Sequence, residues 1–509
     1  MTAFQANSRA PAAAIPSSTS WTRFLPAAAL VLSMLGLFLL RLPIVGEHYG
    51  FSADSGSYLQ TRWVVLGHDN IGVNAMHWRP PLIGILLVPV TWLFGDLEGS
   101  KLLALFVSAL IPVPVFVILR ERGVRPWLAL MAGIVGAVQP TLGGMTTGGY
   151  LSVLAAVPFL LGVHWLDQAW PWHHGAAKFN RRALDKAMAC AFLVAGLNQT
   201  MTCLYFVAIA IVTAVNVGRN IPTWRQMLFW PSMFRHAIPG LISVLAMVPW
   251  LAFDVPALAS GYFYADEPWL WVAEAPGAFV ALWAGVAFVV WRPLWGSLCI
   301  VFAVMALFGS TNIAFNNVLH RAGFLTPLFA TIGITLILEQ LRGHLSAGTQ
   351  RTAALVGMAA VVPLLLFGNT LWMQTARATA DNVEMLTADQ LSAIEWVKAN
   401  VAEDEVVYSH PNGFGWWIGG LSNRAWEGTW FVAPVAKVGI QDAWKCTMGW
   451  RADCDPYELR DRYGMDVVLM DTSSWQTVRT APPPGEWPTE IPALEKVEQW
   501  GEVSAYRWR

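Results

Sequence analysis

The sequence predicts a polytopic α-helical membrane protein with about eleven transmembrane helices, followed by a small external α/β domain. Hydrophobic residues make up 55% of the 509 residues and charged residues only 13%, whereas an ordinary soluble protein carries about 25% charged residues. Apolar segments recur at lengths suited to a bilayer crossing, and frequent charges return only near residue 376. The net charge of −1 gives no reason to expect a nucleic-acid partner.

The apolar segments define the membrane domain, which we place at residues 25–375. Residues 1–24 are rich in Ala, Pro and Ser, and we expect a disordered cytoplasmic tail there. The first apolar run has no small-residue cleavage pattern, which favours a retained anchor over a signal peptide. The predicted spans are 25–44, 101–119, 127–141, 151–168, 187–199, 201–217, 237–253, 276–291, 294–310, 323–340 and 352–372.

The distribution of Lys and Arg orients these spans, because cytoplasmic loops collect both residues. With the N-terminus inside, the alternate turns that fall in the cytoplasm hold most of the bases of the membrane domain: Arg120, Arg122, Arg125, Lys178, Arg181, Arg182, Lys186, Arg219, Arg225, Arg235, Arg292, Arg342 and Arg351. The opposite turns are poor in bases, and the stretch at 139–150 is an uncharged outer loop in this layout. Bases on the outer side occur mainly in the opening loop, 45–100, and at 320–321.

The segment 80–94 is apolar, but it is short and contains Pro89. If it crossed the membrane, every later turn would change sides and the Lys and Arg pattern would fail. We therefore expect an outer-leaflet or re-entrant helix at this position.

Residues 376–509 have the composition of a soluble α/β domain, and an odd number of spans places them outside. We expect a helix over 387–400, with Thr387 as N-cap and Gln390 completing a capping box, and then a strand at 405–409. A second helix at 457–464 and a strand at 466–471 repeat the plan.

The five cysteines divide between two settings. Three lie in apolar segments and are typical of small core residues: Cys190, Cys203 and Cys299. The other two, Cys446 and Cys454, lie in polar sequence of the external domain. We expect these two to form a disulfide in an oxidising compartment.

The opening loop is the most polar interruption in the first half of the chain, and acids and cations held beside a membrane indicate a functional site. Transfer of a sugar from a lipid-linked phosphate would need such a set. A carboxylate such as Asp54 can accept the proton of the acceptor, and cations such as Arg79 and Arg321, each with a neighbouring His, can stabilise the departing phosphate. The apolar segment that follows Arg79 could line a groove for the lipid chain.

Three motifs resemble the GT-C superfamily of polyprenyl-phosphate-dependent glycosyltransferases, in particular its mannosyl- and arabinosyltransferase branch. They are ADSGSYL (53–59), HWRPPLIGILLVPVTWLFG (77–95) and HRAGFLTPL (320–328). The resemblance implies that Asp54 is the general base and that four residues bind the donor phosphate: His77, Arg79, His320 and Arg321. Candidate substrate contacts are Tyr58, Arg62, Asp266 and Glu267.

The start of the external domain, 395–428, resembles that of STT3-like oligosaccharyltransferases. The Trp-Trp-Asp motif of that family would fall on Pro411, Asn412 and Gly413, so the motif is missing here. The uncharged stretch at 139–150 also lacks the second acid that the family uses for a divalent metal. We therefore expect a lipid monophosphate donor and no cofactor; a divalent metal stays an alternative that the sequence does not support.

Structural interpretations stand beside these assignments. Asp54 could cap a helix, Arg62 could be an interfacial anchor, and Asp266 with Glu267 could face only water. The rival functional class is a transporter or a flippase for lipid-linked glycans, although such folds commonly contain repeats and the sequence shows none. A polysaccharide polymerase or ligase would share the donor chemistry.

The expected location is a bacterial plasma membrane, where the protein would use a polyprenyl-phosphate sugar and a glycan, lipid or protein acceptor of the cell envelope. The orientation predicts that Ser346 is cytoplasmic and Ser473 external. In intact cells, a membrane-impermeant maleimide should label the Ser473→Cys protein and leave the Ser346→Cys protein unlabelled, with the unsubstituted chain as control. Equal labelling of the two would contradict this topology.

Overall fold

Helices make up most of the computed structural model, which describes residues 21–51, 53–68, 80–170, 180–219, 276–309, 321–382, 386–410, 412–427, 460, 465–471 and 494–509. Ten of the eleven predicted spans coincide with helices, and the remaining one, 237–253, lies outside the described residues. The helices up to residue 382 are α1 (Trp21–Arg41), α2 (Pro43–Glu47), α3 (Ala53–Val65), α4 (Leu82–Phe94), α5 (Asp96–Ala109), α6 (Pro112–Glu121), α7 (Pro126–Ala137), α8 (Pro140–Gln168), α9 (Arg181–Leu197), α10 (Gln199–Arg219), α11 (Pro276–Phe288), α12 (Pro293–Gly309), α13 (Thr326–Arg342) and α14 (Ala347–Asn382).

Within the described ranges, four helical stretches are long and apolar enough to cross a membrane: Phe24–Glu47, Asp96–Glu121, Pro140–Gln168 and Gln199–Gly218. Helix α14 is 36 residues long, which corresponds to about 54 Å at 1.5 Å per residue and exceeds the hydrocarbon thickness of about 30 Å. Its C-terminal end leads into the α/β part of the chain.

The stretch at 139–150 differs from the prediction, because it is helical instead of a loop. It forms the first part of α8, which changes direction at Gly149, where the φ and ψ angles are not helical. At Gly143, a Cβ would overlap the backbone carbonyl oxygen of Trp372, so this part of α8 and α14 approach at backbone distance. Thr147 adds a hydrogen bond from its hydroxyl to the carbonyl oxygen of Ala376.

The segment 80–94 is helical, as predicted, and forms α4. This helix packs beside α3 and the first turns of α5. Its large apolar side chains near the C-terminal end are exposed, with Trp92 84% exposed. Exposed apolar side chains of this size are expected where a helix meets lipid.

Among its described residues, the C-terminal part contains a five-stranded mixed sheet with strand order β2-β1-β3-β5-β4. Its elements are α15 (Ala388–Asn400), β1 (Val406–His410), α16 (Asn412–Ser422), β2 (Ala425–Glu427), β3 (Met465–Asp471), β4 (Leu494–Trp500) and β5 (Val503–Trp508). Strand β1 pairs in parallel with β2 and β3, whereas β5 is antiparallel to β3 and β4. The capping box of Thr387 and Gln390 is present as predicted. The predicted helix 457–464 lies almost wholly outside the described residues.

Arg41, near the C-terminal end of α1, is fully buried in the helical part. Its Nε donates to Asn369 Oδ1 at 3.1 Å, Nη1 to Ser108 Oγ at 2.8 Å, and Nη2 to the carbonyl oxygen of Ala137 at 2.7 Å. The guanidinium also lies 4.0 Å from the ring centroid of Trp372. One side chain therefore joins α1, α5, α7 and α14, and its planar fork explains why arginine suits the position.

Replacing Arg41 with Ala should lower the free energy of unfolding. The Asn369 side chain and the Ala137 carbonyl oxygen would each lose their hydrogen-bond donor while buried, which costs about 1–3 kcal/mol for each group. Thermal unfolding in detergent, followed by intrinsic tryptophan fluorescence, measures the change. Arg181→Ala is the control, because that side chain is 84% exposed. Equal midpoints for the two variants would contradict a structural role for Arg41.

Candidate functional site

Helix α3 carries Asp54 and Tyr58, two residues of the motif at 53–59. The helix begins at Ala53, so Asp54 lies within its first turn, where the helix dipole favours a negative charge. Positions 54 and 58 are four residues apart and therefore share one face of the helix. The side chain of Tyr58 is buried and its ring packs against Tyr150 of α8.

The other face of α3 packs against α16 of the C-terminal part. A Cβ at Gly420 would overlap the carbonyl oxygen of Gly56, so the two helices touch through their backbones. Trp63 strengthens the contact by donating from its indole Nε1 to the carbonyl oxygen of Gly420 at 2.8 Å. Leu59 of α3 belongs to the hydrophobic core that is otherwise built from C-terminal residues. The helix that carries Asp54 is thus held by the sheet-containing part of the chain.

Arg62, a candidate substrate contact, forms an ion pair with Asp96 at the start of α5. Its Nη1 donates to Asp96 Oδ1, and its Nη2 donates to Oδ2 at 3.1 Å. The side chain is 5% exposed, and the guanidinium lies 4.2 Å from the ring centroid of Trp63. This two-point pairing fixes the C-terminal end of α3 relative to α5.

Two further cations fix the chain that leads into α3. Lys101 is buried, and its Nζ donates to the carbonyl oxygens of Val45 and His48 at 2.7 and 2.8 Å. Arg377 of α14 pairs with Glu47, donating from Nε at 2.6 Å and from Nη2 at 2.5 Å. The segment before α3 is therefore attached to both α5 and α14.

One short stretch of α8 contacts both α3 and Arg321. The ring of Tyr58 meets the ring of Tyr150 edge-on, with 4.9 Å between centroids. Two residues further along α8, Ser152 Oγ accepts hydrogen bonds from Arg321 Nη1 at 3.5 Å and from Asn198 Nδ2 at 3.3 Å. The structure thus brings two predicted site residues, Tyr58 and Arg321, to the same short stretch of α8.

Tyr150, Ser152 and Asn198 are not among the site residues predicted from the sequence. Each is a polar residue at or near the end of an apolar run, and that position was the signal that could have found them. Ser100 also contacts Tyr150, with its Oγ 3.3 Å from the hydroxyl of Tyr150.

The remaining predicted site residues lie outside the described residues: His77, Arg79, Asp266, Glu267, His320, Cys446 and Cys454. Their assignments stay predictions. Cys190 and Cys299 are buried and Cys203 is partly buried, as expected for small core residues. In the part of the chain that the structure describes, no three His, Cys, Asp or Glu side chains form a cluster that could hold a metal ion.

The backbone contact between α3 and α16 predicts that Gly420 tolerates no side chain. Gly420→Ala should lower the free energy of unfolding by about 1–3 kcal/mol, because the overlapping atom belongs to the backbone of Gly56 and cannot rotate away. Gly36→Ala is the matched control, since a Cβ at Gly36 would meet no atom within 4 Å. Thermal unfolding and limited proteolysis of the C-terminal part measure the effect, and an unchanged Gly420→Ala protein would refute the contact.

The sequence matches no family model and no curated protein. The fold is similar to that of ArnT from Cupriavidus metallidurans bound to undecaprenyl phosphate, with a TM-score of 0.53 and 13% identity over 96% of this chain and 98% of that one. It is also similar to the oligosaccharyltransferase AglB from Archaeoglobus fulgidus in complex with an inhibitory peptide and a dolichol-phosphate. That comparison has a TM-score of 0.51 and 12% identity over 90% of this chain and 71% of AglB. The chain is therefore a polytopic helical membrane protein that shares the fold of these two solved structures.

Proposed function

We propose that the protein is a glycosyltransferase that moves a sugar from a polyprenyl-phosphate donor to an acceptor on the outer face of the membrane. The observation that carries the proposal is that one short stretch of α8 contacts both α3 and Arg321. Tyr150 meets Tyr58 on the helix of Asp54, the proposed base, and Ser152 accepts a hydrogen bond from Arg321, a proposed phosphate ligand. This transfer needs a general base and phosphate-binding cations on neighbouring elements.

In the proposed reaction, the acceptor's hydroxyl or amide group attacks the anomeric carbon of the donor sugar. The proton of the acceptor passes to the carboxylate of Asp54, and a new bond joins the anomeric carbon to the acceptor. The bond between the anomeric carbon and the phosphate oxygen breaks, and its electron pair leaves with the polyprenyl phosphate. The proposed transfer needs no oxidant and no reductant.

The departing phosphate is assigned to Arg79 and Arg321, with His77 and His320 beside them. Guanidinium groups suit this task because they donate several hydrogen bonds to phosphate oxygens and keep their charge. The two solved structures support a lipid phosphate as ligand, since ArnT holds undecaprenyl phosphate and AglB holds a dolichol-phosphate. The exposed apolar face of α4 offers a surface for the polyprenyl chain.

The acceptor is assigned to the face of α3 that carries position 54, because the base must lie next to the attacking group. AglB was solved with an inhibitory peptide bound to it. A peptide acceptor is not favoured for this chain, because the Trp-Trp-Asp motif is missing. A glycan or a lipid of the cell envelope is the acceptor class that we favour. The C-terminal part therefore positions the helix of the proposed base. It does not supply a sequon-binding motif.

The roles of Asp54 and Arg321 can be separated with purified protein and a synthetic polyprenyl-phosphate sugar. Asp54→Asn should reduce release of polyprenyl phosphate by about 10²- to 10⁴-fold and leave donor binding nearly unchanged, since the amide cannot accept the proton. Arg321→Ala should weaken donor binding as well, by about 2 kcal/mol, through loss of a charge-assisted hydrogen bond. Asp185→Asn and Arg181→Ala are matched controls, because both side chains are exposed at the start of α9.

Wild-type transfer by the Asp54→Asn protein would overturn the assignment of the base and redirect the search to Glu47, Asp69 or Asp266. Movement of the donor lipid across liposomes without cleavage of its sugar bond would instead support the transporter class.

A further inference from the structure

Asn198 lies in the turn between α9 and α10, beside the residue that accepts a hydrogen bond from Arg321. The same turn contacts the start of α4, because a Cβ at Gly196 would overlap the side chain of Leu82, the first residue of that helix. In the sequence, Leu82 follows the proposed phosphate ligand Arg79 after two prolines. The turn therefore adjoins two segments of the chain to which the donor phosphate is assigned.

The side-chain amide of Asn198 has a fixed orientation. The residue is buried, and its Oδ1 accepts from the backbone N–H of Met201 at 3.0 Å, which makes Asn198 the N-cap of α10. A backbone N–H can only donate, so the amide oxygen must face Met201 and the NH₂ group must face the other side. Capping therefore accounts for the oxygen alone and gives the NH₂ group no role.

The NH₂ group of Asn198 donates to Ser152, which is fully buried on α8. Nδ2 of Asn198 lies 3.3 Å from Ser152 Oγ, and Nη1 of Arg321 lies 3.5 Å from the same oxygen. A hydroxyl oxygen has two lone pairs, and this one accepts from both donors. The amide of Asn198 therefore fixes the acceptor to which Arg321 donates.

Arg321 is only partly buried, whereas Ser152 and Asn198 are buried behind it. A long arginine side chain loses rotamer freedom when it binds a ligand, which weakens binding. A hydrogen bond from Nη1 to a fixed acceptor restricts the guanidinium before the ligand arrives and reduces this cost. Because a guanidinium has five N–H donors, the same group can still donate to phosphate oxygens.

We propose that Asn198 is a positioning residue for the donor phosphate, which holds the guanidinium of Arg321 through Ser152 in the orientation that binds the phosphate. This inference rests on the proposed function, in which Arg321 is a phosphate ligand. Aspartate would cap α10 as well as asparagine does. Only the amide also donates to Ser152, and it does so without a negative charge that would compete with the phosphate for Arg321.

Binding of undecaprenyl phosphate to the purified full-length protein in detergent, measured by microscale thermophoresis, tests this without knowledge of the sugar. Asn198→Asp keeps the cap of α10 and places a carboxylate one hydroxyl away from Arg321. We expect it to raise the dissociation constant about tenfold, the factor for loss of one charge-assisted hydrogen bond. Asn198→Ser keeps a neutral cap without the N–H donor and should raise the dissociation constant about threefold.

Asn180→Asp is the matched control, because it makes the same substitution at another helix cap. Asn180 caps the start of α9, the opposite end of that helix from Asn198, by accepting from the backbone N–H of Ala183. This variant should bind undecaprenyl phosphate as the wild type does. The thermal midpoints of the capping variants should stay close to that of the wild type, since each variant retains an oxygen that caps its helix.

A double-mutant cycle separates positioning from a purely structural role. Once Arg321 is replaced by Ala, Asn198→Ser should change the dissociation constant by less than about twofold, because the amide acts through that guanidinium. Equal losses in both backgrounds, or unchanged binding by both Asn198 variants while Arg321→Ala binds weakly, would overturn this inference and leave the proposed function standing. Undiminished binding of undecaprenyl phosphate by Arg321→Ala would instead overturn the assignment of Arg321 on which both rest.

Discussion

The backbone contact between α3 and α16 is the constraint on which the candidate site depends. Gly420 and Gly56 bring two helices together with no side chain between them, and Trp63 closes the contact with a hydrogen bond to Gly420. Such a contact has little freedom to slide, because any shift brings backbone atoms into collision. The position of Asp54 is therefore set by the C-terminal part of the chain as much as by the helical part.

Buried cations attach the same region to the helices around it. Lys101 binds backbone carbonyls ahead of α3, Arg62 pairs with Asp96 behind it, and Arg41 joins four helices through neutral acceptors. Charges removed from water persist only where the fold supplies partners of this kind. Arg62, a candidate substrate contact in the sequence, is in the structure the partner of Asp96 between α3 and α5.

About half of the predicted site residues lie in the described part of the chain, where the structure shows their surroundings. Tyr58 and Arg321 were anticipated from their motifs, and the structure brings them to one stretch of α8. The residues between them, Tyr150 and Ser152, were missed. A single Tyr or Ser in an apolar run has the same local sequence whether it faces lipid or a neighbouring helix. Only the packing of α3 and α8 distinguishes the two cases.

The sequence by itself determined the apolar helices, the capping box of Thr387 and the strands near residues 406 and 466, because hydrophobic periodicity and capping involve residues close together in the chain. Tertiary structure alone decided that 139–150 is helical, that Arg62 pairs with Asp96, and that Trp63 reaches Gly420. These outcomes depend on which distant part of the chain packs against each segment in the folded protein. Trp63 and Gly420 are 357 residues apart, and no local pattern encodes a partner at that separation.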